Sequence, residues 1–239
     1  VDHLVKLGKD AHNCDVQLFE GDLFERGSYD NAFSGCISVI HAGATVGFNR
    51  ETPQEVYDGC FTENEHVVES VIKADSIKRL VFTSSFAAVA HPRPEGYVFD
   101  EKDWCGDNVE AYKGAWSTDN ISKNRDIAYA MAKANTEKYI YEVAEKDGNF
   151  EAISINPLHV IGPLLTENHN QFFSWQFFIL QLLKGVNFGS YNGQQVRSDR
   201  MLWNMVDVRD VAKAHRMAAE SGNAKNGSRY ILSASDTSG

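Results

Sequence analysis

Short apolar runs alternate with longer helical patterns along this 239-residue chain, and the alternation predicts an α/β protein built on a doubly wound parallel sheet. Two observations carry the expectation. The run ISVIH (37–41) is nearly all apolar, as a strand buried on both faces must be, and RLVFTSS (79–85) and AISIN (152–156) read as further buried strands. Between them lie stretches of about twenty residues whose apolar positions recur at helical spacing.

Taken in order, VQLFE (16–20) reads as a strand, followed by an acidic turn and a short helix around Ser28–Phe33. After strand 37–41 comes a helix over 52–75, with Val56, Val67, Val68, Val71 and Ile72 as its apolar stripe. Strand 79–85 ends in small hydroxyl residues. Residues 91–122, rich in Pro, Gly, Asp and Trp, predict a long surface loop. A helix covers 124–147, and strand 152–156 is stopped by Pro157. A bulky apolar helix (171–184), a mixed region to 205, a helix over 208–221 and a strand RYILS (229–233) complete the chain. In such sheets ligands sit beyond the carboxyl ends of the strands. The places to look are therefore Gly21-Asp22-Leu23, His41-Ala42-Gly43-Ala44, Thr83-Ser84-Ser85 and Asn156-Pro157.

Composition is that of a globular protein, with 43% hydrophobic and 23% charged residues. No uninterrupted apolar run reaches the roughly 18 residues of a membrane span, and the polar, amphipathic start lacks the apolar core of a signal peptide. Val1 is not an initiator methionine, so the expected start lies upstream. The net charge of −10 argues against nucleic acid as a partner. Cys14, Cys36, Cys60 and Cys105 form no CxxC pair and read as reduced thiols, which points to the cytoplasm or another reducing compartment. Two sequons, at Asn120 and Asn226, carry little weight beside that pattern. The scattered histidines offer no metal-ligand spacing.

Tyr129-Ala-Met-Ala-Lys133 is the central chemical signal. A separation of four places phenol and ammonium on one helix face, a turn apart. A free phenol ionises near pH ~10, and a neighbouring cation favours its charged form, as acid–base work at neutral pH requires. By itself the pattern also describes a solvated helix pair. Its weight rises beside strand 79–85, where a serine just past the carboxyl end can donate to a carbonyl oxygen and stabilise an alkoxide. Ser85 is the better candidate and Ser84 its neighbour. The plainer reading is a strand-end turn whose hydroxyls satisfy backbone groups.

Together VFTSS, YAMAK, INPLHVIGP and NMVDVRDVAKAH resemble the extended short-chain dehydrogenase/reductases, nearest the dihydroflavonol 4-reductase and cinnamoyl-CoA reductase branch. FEGDL (19–23), SVIHAGATVGF (38–48), FDEKDW (99–104) and SRYILSAS (228–235) extend the likeness in order along nearly the whole chain. The resemblance implies a Rossmann-like fold, with residues 1–163 as an NAD(P)-binding domain lacking its first βαβ portion. Residues 164–239 would be mainly a substrate-binding part, with elements returning to the sheet. It implies a Ser85–Tyr129–Lys133 triad, in which Tyr129 protonates the carbonyl oxygen and Lys133 also holds the nicotinamide ribose. Asp22 and Leu23 would border the adenine of NADP(H), with NAD(H) still open. His41, Ala42, Gly43 and Ala44 would pass under the cofactor's backbone, and Thr83 and Ser84 would also bind the cofactor. Pro157 and the segment Leu158 to Val160 would flank the nicotinamide.

The sequence departs from the family in three ways. The glycine-rich turn after the first strand is absent, and with it the residue that reads the ribose 2′-phosphate. These 239 residues alone are therefore expected to hold NADP(H) weakly and to expose strand edges. The interval from Ser85 to Tyr129 is long, with an extra segment around Glu110–Asn124 beside the expected substrate entrance. KNRDIAY does not reproduce the aromatic signature of cinnamoyl-CoA reductases, so that substrate does not transfer. Phe172, Phe173, Trp175, Phe177 and Phe178 form a cluster that suits either packing or a pocket wall.

The expected activity is NADP(H)-dependent reduction of a small ketone, aldehyde or acyl-CoA-type carbonyl. The alternatives are a nucleotide-sugar epimerase or dehydratase, or a 3β-hydroxysteroid-type dehydrogenase, on the same scaffold. A third is a non-catalytic subunit of a larger assembly. Monomer and homodimer both stay open.

Overall fold

The computed structural model describes residues 2–12, 14–44, 51–90, 93–94, 96–106, 117–165, 183–184 and 204–234. Helix α1 (Asp2–His12) precedes an extended stretch and the short helix α2 (Asp30–Phe33). Strand β1 (Ser38–His41) leads through α3 (Pro53–Ala74) to β2 (Arg79–Thr83), and β2 leads through α4 (Arg125–Asp147) to β3 (Glu151–Pro157). The short strands β4 (His159–Ile161) and β5 (Met205–Asp207) pair with each other, and α5 (Val208–Glu220) delivers the chain to β6 (Ser228–Leu232). The main sheet runs β1-β2-β3-β6 and is parallel throughout, so every carboxyl end lies along one edge.

Local chemistry sets the helix limits. At α3, Thr52 accepts from the Glu55 N–H at 3.2 Å while the Glu55 carboxylate accepts from the Thr52 N–H at 3.0 Å. Pro53 follows as first residue, where its missing donor costs nothing. Asn124 caps α4 by accepting from the Asp126 N–H at 2.7 Å, and Asp207 caps α5 by accepting from the Arg209 N–H at 2.8 Å.

Strand alternation divides the core between the two faces. Leu80, Phe82 and Ala152 pack with Val67, Val68 and Val71 of α3 and Ile140 of α4. Val81, Ile153 and Ile155 point the other way, toward Ala218 of α5. Helices thus cover both faces of a parallel sheet, as a doubly wound fold requires. At the amino-terminal edge Arg79 binds the Glu151 carboxylate and the carbonyls of Ala218 and Ala224, tying α5 to the sheet.

Several sequence expectations need correction. Residues 14–22 carry no strand ladder, and Leu18 and Phe19 are exposed. Apolar content does not make a strand unless a neighbouring strand takes up its backbone bonds. β1 is not buried on both faces. Val39 and His41 are buried while Ser38 and Ile40 are exposed, because β1 is an edge strand among the described residues. Ile72 leaves the α3 stripe and is exposed. Pro157 does not stop β3 short but ends it, paired with Leu232, and the next amide, Leu158 N–H, donates to the Leu232 carbonyl at 3.1 Å. Within the expected loop 91–122, a 3₁₀ helix occupies Thr118–Lys123. The expected helix 171–184 and its aromatic cluster lie outside the described residues, apart from Leu183 and Lys184, as do residues 110–116 of the segment around Glu110–Asn124.

Candidate active site

The polar groups gather where β1, β2 and β3 end. Alternation continues past β2, so Thr83 faces α5 and Ser84 faces α4. The Thr83 hydroxyl lies 2.7 Å from His215 Nε2, and His215 Nδ1 lies 2.8 Å from the Val211 carbonyl. A carbonyl only accepts, so Nδ1 carries the proton and the Thr83 hydroxyl donates to Nε2. Burial pushes the His215 imidazole below its ordinary range, which keeps this neutral arrangement. The Ser84 hydroxyl donates to the buried Glu137 carboxylate of α4.

Ser85 leaves the strand in extended conformation and caps the 3₁₀ turn Phe86–Ala88, its Oγ accepting from the Ala87 N–H at 3.2 Å. The hydroxyl therefore performs the turn-satisfying role expected of the plainer reading. That bond uses only the oxygen lone pair, so the O–H proton is still available to donate. Tyr129, half-buried, packs with Ala87 against one cluster formed by Val56, Ala88, Ala128 and Ala134 among others. The Ser85 turn and the tyrosine's helix turn thus share a core.

Lys133 is 4% exposed. Its Nζ reaches the Thr83 carbonyl at 3.5 Å and lies 5.7 Å from the centre of the Tyr129 ring. Burial works against the ammonium, but Cys60, Tyr129, Glu63 and Glu137 nearby outweigh it and raise Lys133 above its ordinary value. The side chain is a permanent cation at neutral pH. His41, at the end of β1, is buried, and its Nε2 makes no hydrogen bond. Burial first, and the Lys133 charge second, push it down to about 4, partly offset by Asn64.

Beyond His41, Ala42 and Gly43 are exposed at the strand end. A Cβ on Gly43 would come within 3.1 Å of Leu23 Cδ1, so a side chain there would require Leu23 to shift by a few tenths of an ångström. The Leu23 carbonyl is bonded to His66 Nδ1 of α3 at 3.0 Å, and exposed Asp22 accepts from the Phe24 N–H at 2.8 Å. Pro157 is buried at the end of β3, and Val160 stands on β4 opposite Val206.

Sequence reasoning passed over Glu137, Arg229 and His215 at this edge and marked Asn156 only as a strand end. Glu137 accepts from Ser84, Asn156 and Arg229, with the Ser154 hydroxyl 3.4 Å away. Arg229 of β6 also donates to the carbonyls of Glu101 and Asp103 at 2.8 and 2.7 Å, and its guanidinium lies 3.6 Å from the Trp104 ring centre. Asn156 and His215 complete the set. A signal was present: Ser154 and Asn156 are polar positions within the buried part of β3, and Glu137 stands one turn beyond Lys133.

The parallel sheet, its helices on both faces and the polar groups at its carboxyl edge define a Rossmann-like α/β protein. The chain belongs to the NAD dependent epimerase/dehydratase family, whose model matches residues 1–232. It is 33% identical over 229 residues to cinnamoyl-CoA reductase CAD2 of Medicago truncatula, covering 94% of this chain and 62% of that protein. It is 30% identical over 243 residues to dihydroflavonol 4-reductase of Gerbera hybrida, covering 99% and 58%. This chain thus spans about three fifths of the length of those relatives. Gre2 of Candida albicans, solved in complex with NADPH, superposes with a TM-score of 0.74 at 24% identity, covering 97% of this chain and 67% of that one, a likeness of fold. Among the described residues no helix is long and apolar enough to cross a membrane.

Proposed function

We propose that this chain carries the reducing centre of an NADP(H)-dependent carbonyl reductase, with Ser85, Tyr129 and Lys133 as its catalytic residues. The observation that carries the reading is the buried, permanently charged Lys133 beside the Tyr129 ring, anchored to the carboxyl end of β2. The groups at this edge suit a dinucleotide: a fixed cation, an unbonded imidazole nitrogen at His41 and small exposed residues at Ala42 and Gly43. Lys133, Tyr129, Thr83 and Ser84 would hold its nicotinamide end, with Pro157 and Val160 flanking the ring. Asp22 and Leu23 would border the adenine. When bound, the cofactor supplies the hydride. The similarity to cinnamoyl-CoA and dihydroflavonol reductases supports reduction as the direction.

The Ser85 hydroxyl donates to the substrate carbonyl oxygen and polarises it. Tyr129 transfers its phenolic proton to the same oxygen as negative charge develops there. The Lys133 cation stabilises the charge left on the tyrosine oxygen. The substrate is a small ketone, aldehyde or acyl-CoA-type carbonyl compound.

The test is NADPH oxidation by the full chain with a panel of such carbonyls. Net consumption separates a reductase from an epimerase, which returns its hydride. Tyr129→Phe is expected to lower kcat by about 10²–10⁴ while NADPH affinity stays nearly unchanged. Wild-type turnover by that variant would remove Tyr129 from the proposal.

A further inference from the structure

We propose that Glu137 is a positioning residue: with Arg229 as buried counter-ion, it fixes the strand ends that present Ser85. The inference rests on the reading of Ser85 given above and deepens it. Tyr129, Lys133 and Glu137 lie at steps of four on α4 and so share one face. The first two address the reacting groups, and Glu137 addresses the strand ends beneath them.

Both oxygens of the Glu137 carboxylate receive donors. Oε1 accepts from the Ser84 hydroxyl and from Asn156 Nδ2 at 2.6 Å. Oε2 accepts from Arg229 Nε at 2.7 Å, with the Ser154 hydroxyl at 3.4 Å. Asn156 relays this to the turn. Its Nδ2 also donates to the Ser85 carbonyl at 3.2 Å, and its Oδ1 accepts from the Ser154 hydroxyl at 2.7 Å. Both N–H donors and one acceptor lone pair of that amide are engaged, so its orientation is set. The Ser85 carbonyl in turn accepts from the Ala88 N–H at 2.9 Å, which closes the 3₁₀ turn. Arg229 holds the far side of the same segment by donating to the Ala88 carbonyl at 3.4 Å. Ser85 is thereby gripped through its neighbour Ser84, its own carbonyl and the turn after it.

Apolar residues would fill this space with no desolvation cost, and a buried ion pair is poor evidence for stability in itself. What the pair provides is direction. Glutamine at 137 would have nearly the same shape, but its amide nitrogen would face donors whichever way it turned. One side presents Ser84 and Asn156, the other Arg229.

The test compares Glu137→Gln with the double variant Glu137→Gln/Arg229→Met in the full chain. The single variant is expected to lower kcat at least about tenfold through misplacement of Ser85, with a smaller loss of NADPH affinity through Ser84. Amide exchange at Ala87 and Ala88 should accelerate. The double variant removes the unpaired guanidinium and should recover the melting temperature, while kcat stays low and exchange stays fast. Recovery of wild-type kcat together with the melting temperature would reduce the pair to a purely structural role and overturn the proposal. If the single variant does not fold, Asn156→Ala keeps the Glu137–Arg229 ion pair and removes the link from Glu137 to Ser85, together with the Ser154 bond. Slower turnover with faster exchange at Ala88 supports the proposal, and wild-type values of both overturn it. Ser85→Ala runs in parallel: wild-type turnover there refutes the catalytic reading of Ser85, while the exchange measurements still decide whether Glu137 holds the turn.

Discussion

His41 and Lys133 show how burial assigns opposite charge states to two neighbouring bases. Lys133 is held as a cation by the anionic and polar groups around it, whereas His41, buried beside that cation, is held neutral. The histidine makes stability depend on pH with a definite sign. Its folded value is about 4 against an ordinary 6.5. As pH falls through that window the unfolded chain takes up a proton and the folded chain does not, so stability is lost. The total is about 3 kcal/mol for a shift of this size. His41→Gln should flatten the dependence of denaturant midpoint on pH between about 6.5 and 4. His159 and His215, lowered by burial in the same direction, leave a residual slope. An unchanged slope in the variant would show that His41 is not the buried neutral base described. At Lys133 the expectation is double damage. Lys133→Ala should lower kcat and weaken NADPH binding together, because in the proposed reading one ammonium serves both the phenol and the ribose. A loss confined to kcat in calorimetric titration would remove the ribose role.

At the scale of elements, the junction between β4 and α5 depends on Gly162. Its φ of +145 lies where side chains are disfavoured, and an added Cβ would stand 2.6 Å from Val208 Cγ1 in the first turn of α5. Gly162→Ala therefore combines backbone strain with a collision and should cost about 1–3 kcal/mol or more. Adding Val208→Ala removes the collision but not the strain, so the pair should recover only part of the loss in chemical denaturation. Full recovery would mean that backbone conformation contributes nothing there. Helices α3, α4 and α5 were legible in sequence because their limits are local chemistry: Thr52, Pro53 and Glu55 at α3, Asn124 at α4 and Asp207 at α5. The segment 16–20 was not, since a strand exists only through bonds to a neighbour. FDEKDW illustrates the same limit. Its Asp103 accepts from Tyr97 at 2.5 Å and from Arg93 at 3.3 Å, and its Trp104 lies under Arg229, partners scattered over more than a hundred residues of sequence.

Across the whole molecule, the position of a strand in the sheet decides what its apolar residues contribute. Leu80 on β2 is fully buried, whereas Ile40 on adjoining β1 is 49% exposed. Leu80→Ala should cost about 2–5 kcal/mol in denaturant unfolding, and Ile40→Ala much less. Equal losses would mean that β1 is covered on both faces. The sequence alone determined the parallel α/β architecture, the helix limits and the Tyr129–Lys133 pairing on one face of α4, because periodicity, capping and i,i+4 spacing are properties of contiguous residues. Tertiary structure decided the rest. It made β1 an edge, directed Ser84 to Glu137 and Thr83 to His215, and brought Arg229 of the last strand against α4. Those outcomes depend on which strands adjoin and which helix covers each face. Strand alternation fixes only that neighbouring side chains point to opposite sides, and the packed fold supplies the partner each one meets.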